Sequence, residues 1–159
     1  MAAQLTAFFS SWSSYYGDHQ ALSVTIRSLH LLALVVGGGA AVTADRRVLT
    51  SRRSARLSDA LAYMHRSHRI VIFAFAVIVA TGLLMALSDV ETYSVSVLFW
   101  TKMALVALLI ANGGLLTVAG RHAHASSSAW QRRLVAASAI SLILWLAIVY
   151  ASSWLMVAA

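Results

Sequence analysis

The chain has 159 residues, of which 60% are hydrophobic and 11% charged, with a mean hydropathy of +0.79. It contains neither cysteine nor proline, which excludes disulfides, iron–sulfur clusters and thiolate metal sites and removes proline as a source of helix kinks. The formal net charge of +7 comes mainly from arginines gathered in two short segments, a placement that points to membrane topology and lipid-headgroup contact rather than to a nucleic-acid surface.

At the N-terminus, residues 4–16 predict a short helix lying on the outer membrane surface, with Phe8, Phe9, Trp12, Tyr15 and Tyr16 at the interfacial depth that amphipathic rings prefer. The segment lacks a basic n-region and is polar and aromatic over 10–18, so no cleaved leader is expected. Four apolar stretches follow, at about 23–44, 70–87, 95–119 and 134–159. Each is close to the roughly 20 residues needed to cross hydrocarbon, and in lipid the backbone must satisfy its own polar groups. The fold class read from this is all-α: a single domain over 1–159, an integral membrane antiparallel four-helix bundle with an outer interfacial N-terminal helix.

On the first span Ala33, Gly37 and Ala41 recur every four residues, the small-residue spacing that lets helices approach in lipid. His30 stands seven residues before Gly37, so it shares that face and is expected to point into the bundle. The first loop carries Arg46, Arg47, Arg52, Arg53, Arg56, Arg66 and Arg69. Within it, Leu57, Leu61 and Met64 recur at helical spacing over 51–69, so the second span is expected to begin as a helix before it enters the membrane. The second loop has Asp89 and Glu91, Gly113 with Gly114 thins the third span, and the third loop adds Arg121, Arg132 and Arg133. Basic short loops stay cytoplasmic, which places both termini in the periplasm of a bacterial inner membrane.

Polar residues at membrane depth are costly unless paired. Here they are Arg27, His30, Lys102 and Asn112, and no carboxylate falls among them when Ala44 is taken as the inner boundary. Aligning span ends puts Met85 and Met103 within about a turn of His30, with Arg27 and Lys102 slightly farther out as a cationic layer able to snorkel. His65, His68, His122 and His124 gather near the opposite boundary beside Asp45. Imidazole suits haem iron and copper, and thioether suits Cu(I) or a haem axial position. Two cofactor readings result: haem b on His30, His68 or His122, and copper on His30, Met85 and Met103. Because His30 and His68 differ in depth by roughly 20 Å, one haem within a monomer would pair His68 with His122 or His124. Alternatively it would pair His30 with Met85, Met103 or its copy in a symmetric dimer. An interhelical hydrogen bond would equally satisfy His30, and Asn112 is suited to the same role.

The stretch Ser28-Leu29-His30-Leu31-Leu32 with the glycines at 37–39 and Asp45-Arg46-Arg47 resembles the first helix of small bacterial inner-membrane proteins related in pattern to CopD, the copper-resistance membrane protein. Thr81-Gly82-Leu83, the acidic loop at 89–93, Phe99-Trp100-Thr101-Lys102-Met103 and Asn112 extend the resemblance over about 28–116. It implies copper movement across the inner membrane, with His30 as the first-helix histidine. Three functions are therefore weighed: a haem b or redox electron-transfer subunit, a CopD-like Cu(I) carrier, and a non-catalytic accessory subunit of a membrane complex. The chain is not expected to be an enzyme by itself, since it shows no nucleophile with a base and its glycine run lacks the strand and lysine of a phosphate loop. Expected partners are the lipid bilayer, a quinone, and a second copy or larger membrane complex, with no nucleic acid. Reporter fusions near Ser54 and near Ser127 should both report a cytoplasmic location; a periplasmic signal from either would overturn the topology.

Overall fold

The computed structural model describes the backbone of residues 2–51, 54–123 and 128–158. His124, Arg52 and Arg53 lie outside the described residues, as do the side chains of Phe8 and Arg56. Among the described residues all regular structure is helical: α1 (Ala2–Asp18), α2 (Gln20–Ala33), a π-helical turn (Leu34–Gly38), α3 (Gly39–Thr50), α4 (Ser54–Leu87), α5 (Val90–Val95), α6 (Val97–Ala123) and α7 (Ser128–Ala158). α2, the π turn and α3 run on as one span, Gln20–Thr50, and with α4, α6 and α7 make four helices long and apolar enough to cross a membrane.

The outward faces of these helices are apolar. Leu31, Val35, Phe73, Ile143 and Leu146 all point away from the bundle, Phe73 and Leu146 with 73% of their surface open. A water-soluble protein rarely leaves so large a contiguous apolar surface uncovered, whereas hydrocarbon solvates it. The chain is a multi-pass integral membrane protein.

The helices are longer than the apolar runs. α4 starts at Ser54 rather than near 70, α7 starts at Ser128 rather than 134, and the first span continues to Thr50. Hydropathy falls where a helix leaves hydrocarbon, but its backbone hydrogen bonds continue into the headgroup region. The amphipathic stretch read at 51–69 is accordingly the first part of α4. The third span begins at Val97, not 95, because Val95 closes the short α5 and Ser96 caps the next helix, its Oγ accepting from Phe99 N at 3.3 Å. α5 is itself capped by Asp89, whose carboxylate accepts from Thr92 N at 3.3 Å.

The N-terminal segment forms the expected helix and is tied to the bundle. Trp12 Nε1 donates to the Leu84 carbonyl at 3.0 Å, one of the last-turn carbonyls of α4 that have no partner within their own helix. Tyr16 is buried beside Trp12, with ring centroids 5.9 Å apart.

Two apolar clusters hold the spans together. At the arginine-rich end Val48, Leu61, Ala119 and Leu134 bring α3, α4, α6 and α7 into one core. At mid-span Leu109, Leu144, Trp145 and Ile148 join α6 and α7 to Leu34, Ala41 and Val42 of the first span, and α4 takes no part. The order around the bundle is thus α4, first span, α7, α6, and the α4–α6 side closes only near the arginine-rich end.

Glycine sets the tightest contacts. A methyl group on Gly37 would stand 2.5 Å from Ala74 Cβ of α4, and one on Gly38 would stand 3.3 Å from the Trp145 ring of α7. The π turn carries both, so two adjacent glycines serve two different neighbours. Gly113 and Gly114, where the third span thins, have no such neighbour within 4 Å; they leave space rather than a close crossing.

Gly37→Leu is expected to destabilise the bundle by about 1–3 kcal/mol, the usual cost of overpacking, with partial recovery on adding Ala74→Gly. Gly39→Ala, whose added methyl meets nothing within 4 Å, should leave stability unchanged. Unfolding in detergent, followed by circular dichroism, checks both.

Candidate cofactor site

Polar residues within the spans form two separate sets. At the end nearest the N-terminus, α2 presents His30 to α4. Its Nδ1 lies 2.9 Å from Thr81 Oγ1, and its Cε1 lies 3.3 Å from where a β-carbon on Gly82 would be, so any larger residue there would crowd the ring. The Thr81 hydroxyl sends its single proton to the Val77 carbonyl at 2.6 Å, with Ile78 at 3.2 Å. Its oxygen is therefore the acceptor, which assigns the His30 proton to Nδ1 and leaves Nε2 as the unprotonated nitrogen. Lys102 of α6 stands close enough for its charge to act on the ring. Met85 and Met103 are half-buried on α4 and α6; the α4 residues against which the His30 ring packs are Thr81 and Gly82. Arg27 faces outward. Asn112 is buried and clamps α6 to α7, Nδ2 donating to the Ala137 carbonyl at 2.9 Å.

The second set surrounds a cleft of about 620 Å³ between α4 and α6, floored by α3 and α7. Its volume falls within the roughly 300–1,000 Å³ of small-molecule and cofactor pockets. Leu109, Ile110, Phe75, Val71 and Trp145 supply apolar walls, while Asp45, His65, Ser67, His68, Thr117, Arg121 and Ser141 supply its polar groups. Ile72 and Ile110 line the cleft and are also more than half open to the outside, so the cleft faces the bilayer between the two helices. Leu61 and Met64 close its arginine-rich end against Leu116, Ala119 and Gly120.

His65 and His68, three residues apart on α4, share one face of that helix. Both line the cleft, and His68 lies one turn farther into the span. Asp45 is held inside the bundle near the arginine-rich end. The first span continues past Ala44, and Asp45 is 97% buried within it, its carboxyl turned toward the Ser141 and Ser138 hydroxyls of α7. Ser138 Oγ is buried without a hydrogen bond of good geometry. His122 is turned elsewhere: its ring stacks on Trp130 with centroids 4.7 Å apart, and it is not among the cleft residues. The arginines set by topology also pack, Arg47 over Tyr63 at 4.2 Å and Arg133 over Trp130 at 4.7 Å.

The two histidine sets are far apart. His30 meets α4 at Thr81, thirteen residues beyond His68 on the same helix, or roughly 20 Å along the axis. Among the described residues no three His, Asp or Glu side chains converge as a cage for a metal ion. Sequence reasoning missed Thr81 as the partner of His30, and Ser141, Thr117 and Trp145 as cleft residues. Their only signal is a small hydroxyl or an indole inside an apolar run, and a Thr or Ser there is often satisfied by its own helix, as Thr81 and Thr117 are.

A family model described as a family of unknown function, DUF6644, matches residues 3–158. No curated protein and no solved structure matches the chain. The resemblance to CopD-like proteins has no counterpart in these findings.

If the polar residues at the end nearest the N-terminus hold helices together, a double-mutant cycle of His30→Ala and Thr81→Val should return a coupling of about 0.6 kcal/mol, the average for hydrogen bonds between membrane helices. Met103→Leu should leave stability unchanged, since the two side chains have similar volumes. Reversible unfolding in detergent of the two single variants, the double variant and Met103→Leu measures it; zero coupling would show that the His30–Thr81 hydrogen bond does not hold the helices together.

Proposed function

The chain belongs to the DUF6644 family of unknown function, and we propose from its own residues that it is a haem b-binding redox subunit of the bacterial inner membrane. The observation that carries this is the position of His68, an imidazole in the wall of an otherwise largely apolar, cofactor-sized cleft that faces the bilayer.

The residues present fit the group. A haem needs one or two axial donors, an apolar slot for a flat macrocycle, and cations near the membrane surface for its two carboxylates. His68 supplies the axial nitrogen. Phe75, Leu109, Ile110 and Trp145 line the slot and exclude water, and Arg121 stands at the arginine-rich end to receive carboxylates. When bound, haem b supplies one-electron transfer. Asp45 and Ser141 place a buried polar group beside the slot, and a carboxyl there is the residue of this chain suited to hold or release a proton when the charge of the site changes. His65, closer to the surface on the same face, is the second imidazole available from α4.

In this reading the outer set is structural. His30 bonds Thr81 and Asn112 bonds the Ala137 carbonyl, and both contacts join neighbouring spans. These contacts favour helix packing over a copper site on His30, Met85 and Met103, and they support the accessory role as the second reading. The arginine-bearing loops favour a cleft in the cytoplasmic half of the bilayer, with both termini periplasmic, because short basic loops stay on the cytoplasmic side.

Purified wild-type protein should show a reduced-minus-oxidised b-type haem spectrum. His68→Ala should abolish it by removing an axial bond, whereas His122→Ala should leave it in place. Folded wild-type protein that takes up no haem would overturn the reading.

A further inference from the structure

Among the described residues, the imidazole and thioether donors that line the cleft all stand on one wall. Met64, His65 and His68 belong to α4, and the α6 wall across from them offers Gly113, Leu116 and Thr117, with no nitrogen or sulfur ligand until Arg121 at the end. His30 is displaced roughly 20 Å along α4, and His122 is stacked on Trp130. The α6 wall is also open where it matters: a β-carbon on Gly113 would meet no atom within 4 Å. The Thr117 hydroxyl donates to the Gly113 carbonyl at 2.9 Å, and the Ser67 hydroxyl donates to its own helix at Tyr63. Neither of these two protons is free to stabilise a charged ligand.

We propose that the cleft binds its ring cofactor from the α4 side only, and that the opposite face, against Gly113 and Thr117 of α6, takes a neutral diatomic ligand of the carbon monoxide or nitric oxide class. This rests on the haem reading of the same cleft. An apolar wall with its hydroxyl protons committed favours a neutral diatomic over one that gathers negative charge on binding, as oxygen does, because the latter needs a hydrogen-bond donor beside it. The glycine gives that ligand its space, and the opening between α4 and α6 gives an apolar gas a path through the bilayer.

The test uses the full chain purified in detergent with its haem, reduced chemically and titrated with carbon monoxide. The expected result is a saturable shift of the Soret band in wild-type protein. In Gly113→Leu the carbon monoxide affinity, measured per haem bound, should fall about tenfold or more as the side chain fills the space. Gly113→Ala, a smaller intrusion that meets no neighbour, should give a lesser loss and keeps the test available if the leucine variant fails to fold. Bound haem with a six-coordinate spectrum unmoved by carbon monoxide would overturn the inference while leaving the haem reading standing. Unchanged affinity in both glycine variants would overturn the assignment of the ligand to the α6 side. Failure to bind haem would overturn the reading and the inference together.

Discussion

The close approach of the first span to its two neighbours governs the rest of the bundle. At Gly37 the first span meets Ala74 of α4 with no room for a side chain, and one residue later Gly38 meets the Trp145 ring of α7. In lipid there is no hydrophobic gain from burying one apolar face against another, so helices associate through dispersion contacts and hydrogen bonds, both of which fall off steeply with distance. Two glycines in a single π turn therefore place α4 and α7 on adjacent sides of the first span. α6 then follows α7, fastened by Asn112 to the Ala137 carbonyl. With α4 held to one helix and α6 to another, these two meet only where Leu61 and Met64 reach Leu116, Ala119 and Gly120. The cleft is the space this arrangement leaves.

The same economy of polar contacts separates the two histidine sets. Thr81 gives its proton to its own helix and accepts from His30, so a single hydroxyl satisfies an imidazole on another span. Trp12 reaches the Leu84 carbonyl and fastens α1 over that end. His65 and His68 instead face a cavity with room for a ligand. A histidine already held by the fold is a packing group first; one presented to a cleft beside apolar walls is a group kept available.

Much of the fold was legible in the sequence because hydrocarbon imposes a length and a composition on any helix that crosses it. The inward direction of His30 was legible too, from its seven-residue spacing to Gly37, and α2 does present it to α4. The helix ends were not, since hydropathy reports the solvent around a helix and not the continuity of its backbone. The burial of Asp45 could not be read for that reason: it stands just past an apolar run but inside a helix that continues to Thr50, and α7 covers it. The cleft could not be read at all, because it exists only between α4 and α6, and neighbour order is not written in the periodicity of either. Gly113 and Gly114 illustrate the point. A glycine pair in a span reads equally as a close crossing or as an opening, and which it is depends on whether another helix stands opposite.

The boundaries of the cleft differ in stiffness, and this bears on what it can hold. Along its first-span side, Gly37 and Ala74 bring two helices close together, so widening the cleft there means parting a tight interhelical contact. At its arginine-rich end the closure is the Met64 methyl against Gly120, an unbranched thioether with several rotatable bonds that repacks at small cost. A ligand that varies in length along the membrane normal is therefore accommodated more readily than one that varies in thickness. A flat ring with flexible carboxylate arms meets that condition: the ring needs a slot of fixed width, and the arms need a yielding end where Arg121 is within the lining. The cleft is thus rigid beside its narrow first-span side and yielding at the end where Arg121 stands.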